Sequence, residues 1–249
     1  ANVMFTDESR FSTSPDSSVF SWVKKGEKLY IQTNKFSVSF MVWAGIIGDQ
    51  KTRLLTCPDR LKAQGYVQLL EENGIVAFLH QHDQNAIFQQ DGARCHTATF
   101  SKRWFQNQNV RLLEGWPSNS PDLSPIEQIW GICKHFLIRR YCMKTPLTME
   151  QLQRGVFEAY ETIEASTIHK LTLSMTYRVR LCIERNGEFV GDALEECCRR
   201  ATVEYEALTR IPTVVMNPFE MAESQTGVHD ENEEMTSRLP ILPSFRSVQ

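Results

Sequence analysis

The stretch WPSNSPDLSPIEQIW, Trp116 to Trp130, contains two acidic residues, Asp122 and Glu127, among serines and prolines. Its second half has the residue order that starts a helix, with Ser124 at the N-cap, Pro125 at the first position and Glu127 at the third. The Asn-Ser-Pro-Asp run that ends at Asp122 is typical of a turn. The stretch therefore predicts a turn that leads into a helix, and it leaves open whether either carboxylate has a chemical role.

The helix that opens at Pro125 carries an apolar stripe. Its apolar residues recur at intervals of three and four: Ile126, Ile129, Trp130, Cys133 and Leu137. This pattern is typical of a helix with one buried face. Glu127 follows Ile126 and lies about 100° around the helix from it, off the centre of the stripe. We therefore expect Glu127 to face a cleft while its neighbours are buried.

Several short β-type segments come before this helix. The apolar run Val3–Phe5 is followed by acidic residues, which predicts a buried strand that delivers Asp7 to an edge or a cleft. Strand-like composition recurs in residues 36–47, 52–56, 86–90 and 110–113. The first two of these segments flank a Gly-Asp turn, and Asp91 directly follows the third.

Helical segments alternate with these strands. Helical spacing of apolar residues covers residues 61–78, with Gly74 as a weak point, and residues 97–107. Further helices are expected from Thr148, where Gln151 completes a capping box, and over residues 171–183 and 192–208. The alternation predicts an α/β fold in which helices flank a mixed sheet.

Composition indicates a soluble, intracellular protein without a membrane segment. The 249 residues are 41% hydrophobic, which allows one large domain or a domain with appendages. The longest apolar run, residues 40–47, is far shorter than the roughly 20 residues that span a bilayer. The seven cysteines form no CxxC pair, so reduced thiols are expected instead of disulfides or a zinc site.

The net charge of −3 hides an asymmetry along the chain. Residues 184–234 contain 13 acidic and 4 basic side chains, whereas residues 1–183 contain 17 acidic and 21 basic ones, a net charge of +4. A mildly basic body is compatible with a phosphate-binding surface. Many ordinary domains carry a similar charge, so this feature discriminates little between functions.

Three acids stand at comparable places: Asp7 after the first strand segment, Asp91 after a later one, and Glu127 at a helix start. Strand ends and a helix N-terminus can converge on one cleft of a mixed sheet. Three converging carboxylates make an all-oxygen site that suits Mg²⁺ or Mn²⁺. Two such ions, about 3.5–4 Å apart, can serve phosphoryl transfer. Acids after strands are also commonly only exposed, so the residues alone leave this alternative open.

Three sequence blocks resemble the catalytic blocks of the Tc1/mariner transposases, members of the DDE superfamily with an RNase H-like fold. They are FTDESRF, FQQDGARCHTA and WPSNSPDLSPIEQIW, in that order, with 35 residues between Asp91 and Glu127. The segments FMVWAGI and LSMTYRVRLCI are also similar to that family, so the resemblance covers roughly residues 2–187.

The resemblance implies the roles of the acids. Asp7 corresponds to the first catalytic residue and would bridge two Mg²⁺ or Mn²⁺ ions, while Asp91 and Glu127 would each hold mainly one. Asp122 corresponds to a turn residue instead of a catalytic one. Three further residues fall in motif positions close to the metals: Glu8, Arg10 and His96. There they would either contact DNA or orient a ligand, or only make structural hydrogen bonds.

The resemblance also implies a reaction, cut-and-paste transposition. A metal-activated water hydrolyses a phosphodiester at the end of the element, and the freed 3′-hydroxyl then attacks target DNA at a TA dinucleotide. The implied partners are transposon ends, the TA target and a second copy of the chain on DNA, and the implied location is the nucleus. The alternative is an inactive or host-recruited relic that binds DNA or a protein without catalysis.

The chain departs from the family pattern in three places. Family members carry helix-turn-helix modules before the catalytic domain, so a chain that starts at Ala1 is expected to be a fragment, a truncated gene model or a decayed copy. Gly92 stands where the family often has asparagine. The expected division is a catalytic domain over residues 1–187, a helical extension over 188–211 and a disordered acidic tail over 212–249, and fusion, read-through or a partner-binding role would each explain the added segments.

Overall fold

A mixed sheet of six strands lies at the centre of the protein. The structure is a computed structural model, and it describes residues 2–13, 37–117, 120–141 and 147–209. The strands are β1 (Val3–Ser12), β2 (Ser39–Ile47), β3 (Gln50–Lys51), β4 (Leu55–Cys57), β5 (Ile87–Gln89) and β6 (Arg111–Leu112). Their order in the sheet is β3-β2-β1-β5-β6, and β4 also pairs with β2.

Strand β1 is held on both sides. It pairs antiparallel with β2, from Phe5 opposite Ile46 to Ser12 opposite Ser39, and parallel with β5. The expectation that Asp7 ends the first strand is wrong, because β1 continues to Ser12. Backbone pairing to β2 carries the strand past its apolar run, through polar residues whose side chains alternate between the two faces. Asp7 therefore lies in the middle of the central strand.

Helices cover both faces of the sheet. One face packs against α1 (Ala63–Glu72), α2 (Ile75–His82), α3 (Arg94–Thr97) and α4 (Thr99–Asn107); the other packs against α5 (Ile126–Tyr141), α6 (Met149–Glu161) and α7 (Ala165–Glu184). Neighbouring residues of β1 belong to different cores, since Met4 packs on the first face and Phe5 on the second. A last helix, α8 (Leu194–Thr209), packs against α7. The predicted mixed sheet flanked by helices is confirmed.

The helix boundaries refine the sequence reading. Gly74 has a φ of +64°, which a residue with a side chain rarely adopts, and it divides the predicted helix over 61–78 into α1 and α2. The predicted helix over 97–107 is interrupted at Ala98, whose ψ of 142° is extended. The apolar stripe of α5 is buried and the Thr148–Gln151 capping box of α6 is formed, both as predicted.

The remaining compositional expectations are partly tested. The six cysteines within the described residues are free thiols, as predicted, and Cys142 lies outside those residues. Among the described helices, none is both long and apolar enough to cross a membrane. The disorder expected for residues 212–249 also concerns a segment outside the described residues.

The side chain of Lys51 fastens the sheet to α6. Its Nζ donates hydrogen bonds to the carbonyl oxygens of Tyr160 (2.6 Å), Glu161 (3.1 Å) and Ile163 (2.9 Å). These carbonyls lie at or just after the C-terminal end of α6, where a cation is favoured by the helix dipole. The hydroxyl of Tyr160 returns a hydrogen bond to the Thr52 carbonyl at 3.0 Å.

We expect Lys51→Met to lower the free energy of unfolding by about 1–3 kcal/mol, because three carbonyls at the end of α6 lose their donor. Urea unfolding followed by circular dichroism measures this. The matched control is Lys102→Met on the exposed side of α4, which should change stability by less than about 0.5 kcal/mol. Equal effects of the two substitutions would contradict the role given to Lys51.

Candidate active site

Asp7 and Trp130 join the central strand to α5. The Trp130 Nε1–H donates a hydrogen bond of 3.0 Å to Asp7 Oδ2, and the indole is only 2% exposed. On the other side of β1, the parallel pairing places Phe5 opposite Gln89. Strand β5 ends at Gln89, and Asp91 follows two residues later in the chain. The hydrogen bond therefore fixes α5 against the middle of the central strand, at Asp7.

Glu127 lies one helical turn before Trp130, on the same side of α5. The pKa of Asp7 is raised well above its usual value, mainly by burial and then by the negative charges of Glu127, Glu8 and Asp91. The hydrogen bond from Trp130 lowers this pKa but does not offset the rise. Burial also raises the pKa of Glu127, and Lys134 partly offsets this. Glu127 therefore lies close enough to Asp7 for the two charges to interact, and the start of α5 is held by a backbone hydrogen bond from Glu127 N to Ser124 O at 3.2 Å.

Asp91 lies two residues beyond the end of β5 and is fixed by its own loop. Its Oδ1 accepts hydrogen bonds from the Ala93 N–H at 2.9 Å and from His96 Nδ1 at 2.6 Å. The hydrogen bond from His96, helped by that from Ala93, lowers the pKa of Asp91 despite partial burial. This carboxylate is therefore kept ionised at neutral pH.

His96 bridges two carboxylates. Its ring is 2% exposed, contacts Asp91 through Nδ1, and contacts Glu8 Oε1 through Nε2 at 3.2 Å. The ring also packs on Tyr66, with 4.4 Å between ring centroids. Burial alone would lower the pKa of His96, but the hydrogen bonds to Asp91 and Glu8 reverse this and raise the pKa to about 10. His96 is thus a buried cation that links Glu8 to Asp91.

The side chain of Arg10 contacts a different part of the protein from those of Glu8 and His96. Its Nη1 pairs with Asp59 Oδ2 at 3.1 Å and donates to Ser39 Oγ at 3.1 Å. Of the three residues expected near the metals, the structure brings Glu8 and His96 to Asp91, whereas the contacts described for Arg10 lead to the loop after β4. The sequence motif alone does not distinguish these directions.

Asp122 does not join the cluster of acids. It lies in a 3-10 turn, Pro121–Leu123, and is 6% exposed. Its Oδ2 accepts a hydrogen bond from the Val190 N–H at 2.8 Å. The position agrees with the turn that the sequence predicts, but sequence reasoning missed the contact to residue 190. Nothing in the local sequence signals a partner 68 residues away.

The donor set suits a hard divalent cation, although the acids are not preformed as a cage. Among the described residues, no group of three or more His, Cys, Asp or Glu side chains is arranged to hold a metal ion as it stands. Asp7 and Asp91 each use one oxygen for a protein partner, Trp130 and His96 respectively. The carboxylates of Asp7, Asp91 and Glu127 supply only oxygen ligands, which Mg²⁺ and Mn²⁺ prefer. Raised pKa values at Asp7 and Glu127 mark repulsion and burial that a bound cation would relieve.

Comparison with known sequences places the chain among transposases. A family described as the DDE superfamily endonuclease matches residues 2–146. The Tc3 transposase of Caenorhabditis elegans is 27% identical over 190 residues, covering 75% of this chain and 57% of the relative. The Tc1 transposase of the same organism is 30% identical over 194 residues, covering 75% of this chain and 69% of the relative. The chain thus spans between half and three quarters of these relatives.

Solved structures share the fold. A Mos1 transposase paired-end complex with the left transposon end has a TM-score of 0.59 at 16% identity, covering 75% of this chain and 56% of that chain. The catalytic domain of Mos1 mariner transposase has a TM-score of 0.53 at 16% identity, covering 75% of this chain and 83% of that domain. Other Mos1 paired-end structures contain Mn or Mg. The predicted RNase H-like fold is confirmed by this likeness.

We expect the stability of the metal-free protein to fall as the pH rises from about 6.5 to about 10, because the folded state keeps the His96 proton and the unfolded state releases it. The contribution is fully present below pH 6.5 and is lost as the pH passes the pKa of about 10. Its slope is at most about 1.4 kcal/mol per pH unit.

Urea unfolding in the presence of a chelator, at a series of pH values from 6 to 10, measures this slope. His96→Gln should flatten it, whereas His80→Gln on α2 should retain the wild-type slope. An unchanged slope in His96→Gln would show that the histidine is not a buried cation.

Proposed function

We propose a function for this chain on the premise that it belongs to the DDE superfamily of endonucleases and, within it, to the Tc1/mariner transposases. The function is metal-dependent cleavage of DNA and transfer of the cut strand to a target, the chemistry of cut-and-paste transposition. The observation that supports it is the environment of Asp7 at the middle of the central strand, where burial, and then the charges of Glu127, Glu8 and Asp91, raise the pKa of Asp7.

The three proposed catalytic residues, Asp7, Asp91 and Glu127, would hold two divalent cations, Mg²⁺ or Mn²⁺. When bound, such ions activate an attacking oxygen and stabilise the leaving oxygen in an in-line displacement at phosphorus. The protein's own part is placement. Trp130 holds one oxygen of Asp7, and His96 holds one oxygen of Asp91 while Glu8 buttresses the imidazole from the other side.

The same site serves both proposed steps, because hydrolysis of the first strand and attack by the freed 3′-hydroxyl are displacements of one kind. The nucleophile changes from water to a DNA hydroxyl, and the three carboxylates remain in place. No protein nucleophile is required, so the buried thiol of Cys133, whose pKa burial raises to about 12, has no part in the reaction.

The proposed partner is DNA, and the proposed location is the nucleus. The Mos1 neighbours include a complex with a transposon end and a strand transfer complex, which supports a DNA substrate. Transposon ends, a TA target and a pair of protein copies on the DNA are proposed for the whole protein, since this chain spans 57% of the Tc3 relative.

We expect Asp7→Asn, Asp91→Asn and Glu127→Gln each to lower the rate of plasmid nicking at least about 100-fold, because each change removes a charged oxygen ligand from the metal site. The measurement is conversion of supercoiled plasmid to the open circle with Mg²⁺ or Mn²⁺, with a chelator as the blank. Circular dichroism confirms that each variant is folded.

The matched controls are Asp49→Asn and Glu71→Gln, which make the same chemical changes at exposed positions and should leave the rate within about twofold. Wild-type nicking by folded Glu127→Gln would overturn the assignment of the third acid. If the wild-type chain binds duplex DNA but nicks it in neither Mg²⁺ nor Mn²⁺, the proposed enzyme is wrong. The alternative, a relic that binds DNA without catalysis, then takes its place.

A further inference from the structure

A buried contact ties the turn before α5 to the C-terminal part of the chain. It consists of Asp122, Arg178 and Val190, which we call the Asp122 clasp. All three residues are buried, with 6%, 0% and 0% exposure respectively. They come from the 3-10 turn, from α7 and from the segment that leads into α8, so the clasp joins elements that are far apart in sequence.

Asp122 contributes two acceptors to the clasp. Its side-chain Oδ2 accepts the Val190 N–H at 2.8 Å, and its backbone carbonyl accepts Arg178 Nη1 at 3.1 Å. A hydrogen bond from a buried N–H to a carboxylate is charge-assisted and stronger than one between neutral groups. Asp122 therefore fixes the path of the chain after α7 as well as the position of its own turn.

Arg178 is the second part of the clasp, and hydrogen bonds restrict the movement of its side chain. Its Nε donates to Ser174 Oγ at 2.9 Å, and that hydroxyl donates to the Leu171 carbonyl at 2.6 Å. Its Nη2 is buried without a hydrogen-bond partner among the described residues. A buried guanidinium is costly unless its donors are matched, and Arg178 matches two of its donors with the Ser174 hydroxyl and the Asp122 carbonyl.

The turn is coupled to Glu127 through the backbone. Ser124 N donates to the Pro121 carbonyl at 3.3 Å, Glu127 N to the Ser124 carbonyl at 3.2 Å, and Gln128 N to the Pro125 carbonyl at 3.3 Å. These consecutive hydrogen bonds run from the turn into the first residues of α5. A shift of the turn is therefore transmitted to the helix start, and a catalytic carboxylate tolerates a displacement of only about 0.5 Å.

We propose that Asp122 is a positioning residue for Glu127, and that the chain after α7 serves the active site by locking the turn through the Asp122 clasp. This inference rests on the proposed role of Glu127 as a metal ligand. It gives the main chain at Val190 a task in the catalytic unit, whereas the sequence suggested an appended segment without one.

Hydrogen exchange tests the coupling without any assay of activity. In metal-free protein, Asp122→Ala should raise exchange at least about tenfold at the amides of Val190 and Glu127, because the acceptor of the first is removed and the turn that holds the second is released. The amide of Val156 in α6 should be unaffected. Asp122→Asn keeps an acceptor oxygen at the same place but removes the charge, so it should retain more protection at both sites than Asp122→Ala does.

Metal-dependent nicking tests the consequence. Asp122→Ala should reduce the maximal rate at least about tenfold and raise the Mn²⁺ concentration needed for half the maximal rate, while Asp122→Asn stays within about twofold of wild type. The matched control is Asp192→Ala, in the same segment, whose carboxylate is exposed and pairs with Arg185 at 2.6 Å. It should leave rate, metal dependence and exchange unchanged.

Three results would overturn the proposal. The first is wild-type protection of Glu127 in Asp122→Ala when Val190 has lost its protection, because the turn would then be uncoupled from α5. The second is an unchanged Mn²⁺ requirement in that variant. The third is equal loss in Asp122→Asn and Asp122→Ala, which would assign the charge of Asp122 a direct role.

If Asp122→Ala does not fold, Ser174→Ala replaces it, since it removes only the Oγ that orients Arg178 and should raise exchange at Glu127 more than at Val156. The exchange measurements decide the coupling even if the wild-type chain nicks no DNA, so failure of the clasp and failure of the proposed enzyme are distinguishable.

Discussion

The hydrogen bond between the Trp130 indole and the Asp7 carboxylate joins helix α5 to the central strand of the sheet. Trp130 belongs to the buried stripe of α5, and Asp7 lies at the middle of the central strand, so one bond sets both the depth of the helix and the orientation of the acid. The indole is supported by an edge contact with Phe11 and by stacking on Tyr160. Glu127 reaches the same place because it precedes Trp130 by one turn.

Charge is compensated unequally across the site. On the β5 side, the His96 cation lies between Asp91 and Glu8, and the pKa of Asp91 is lowered. On the α5 side, burial raises the pKa values of both Asp7 and Glu127, and the charge of Glu127 raises that of Asp7 further. The carboxylates of Asp7 and Glu127 would therefore be stabilised most by an added positive charge. A protein that binds a polyanion near such a cluster needs cations there, because phosphate and carboxylate groups otherwise repel each other.

Much of this arrangement follows from local sequence, and the rest depends on distant contacts. The stripe of α5 and the capping box of α6 could be predicted, since they depend only on spacing and on residues three apart. The length of β1 could not, because pairing with β2 extends it through polar residues. The acids were identified from a family resemblance, but that resemblance does not tell which way Arg10 turns. The partner of Asp122 was also out of reach, because a backbone N–H has no sequence signature.

The contact between Asp122 and Val190 involves the main chain of residue 190 and not its side chain. Substitutions in this part of the chain can therefore preserve the bond, provided that the backbone keeps its course. An insertion or deletion between α7 and residue 190 moves a different N–H to that place and changes the geometry of the turn. Over evolutionary time, the exposed positions of such a segment can diverge in composition while its length stays constrained, and residue 190 keeps a buried side chain and an N–H.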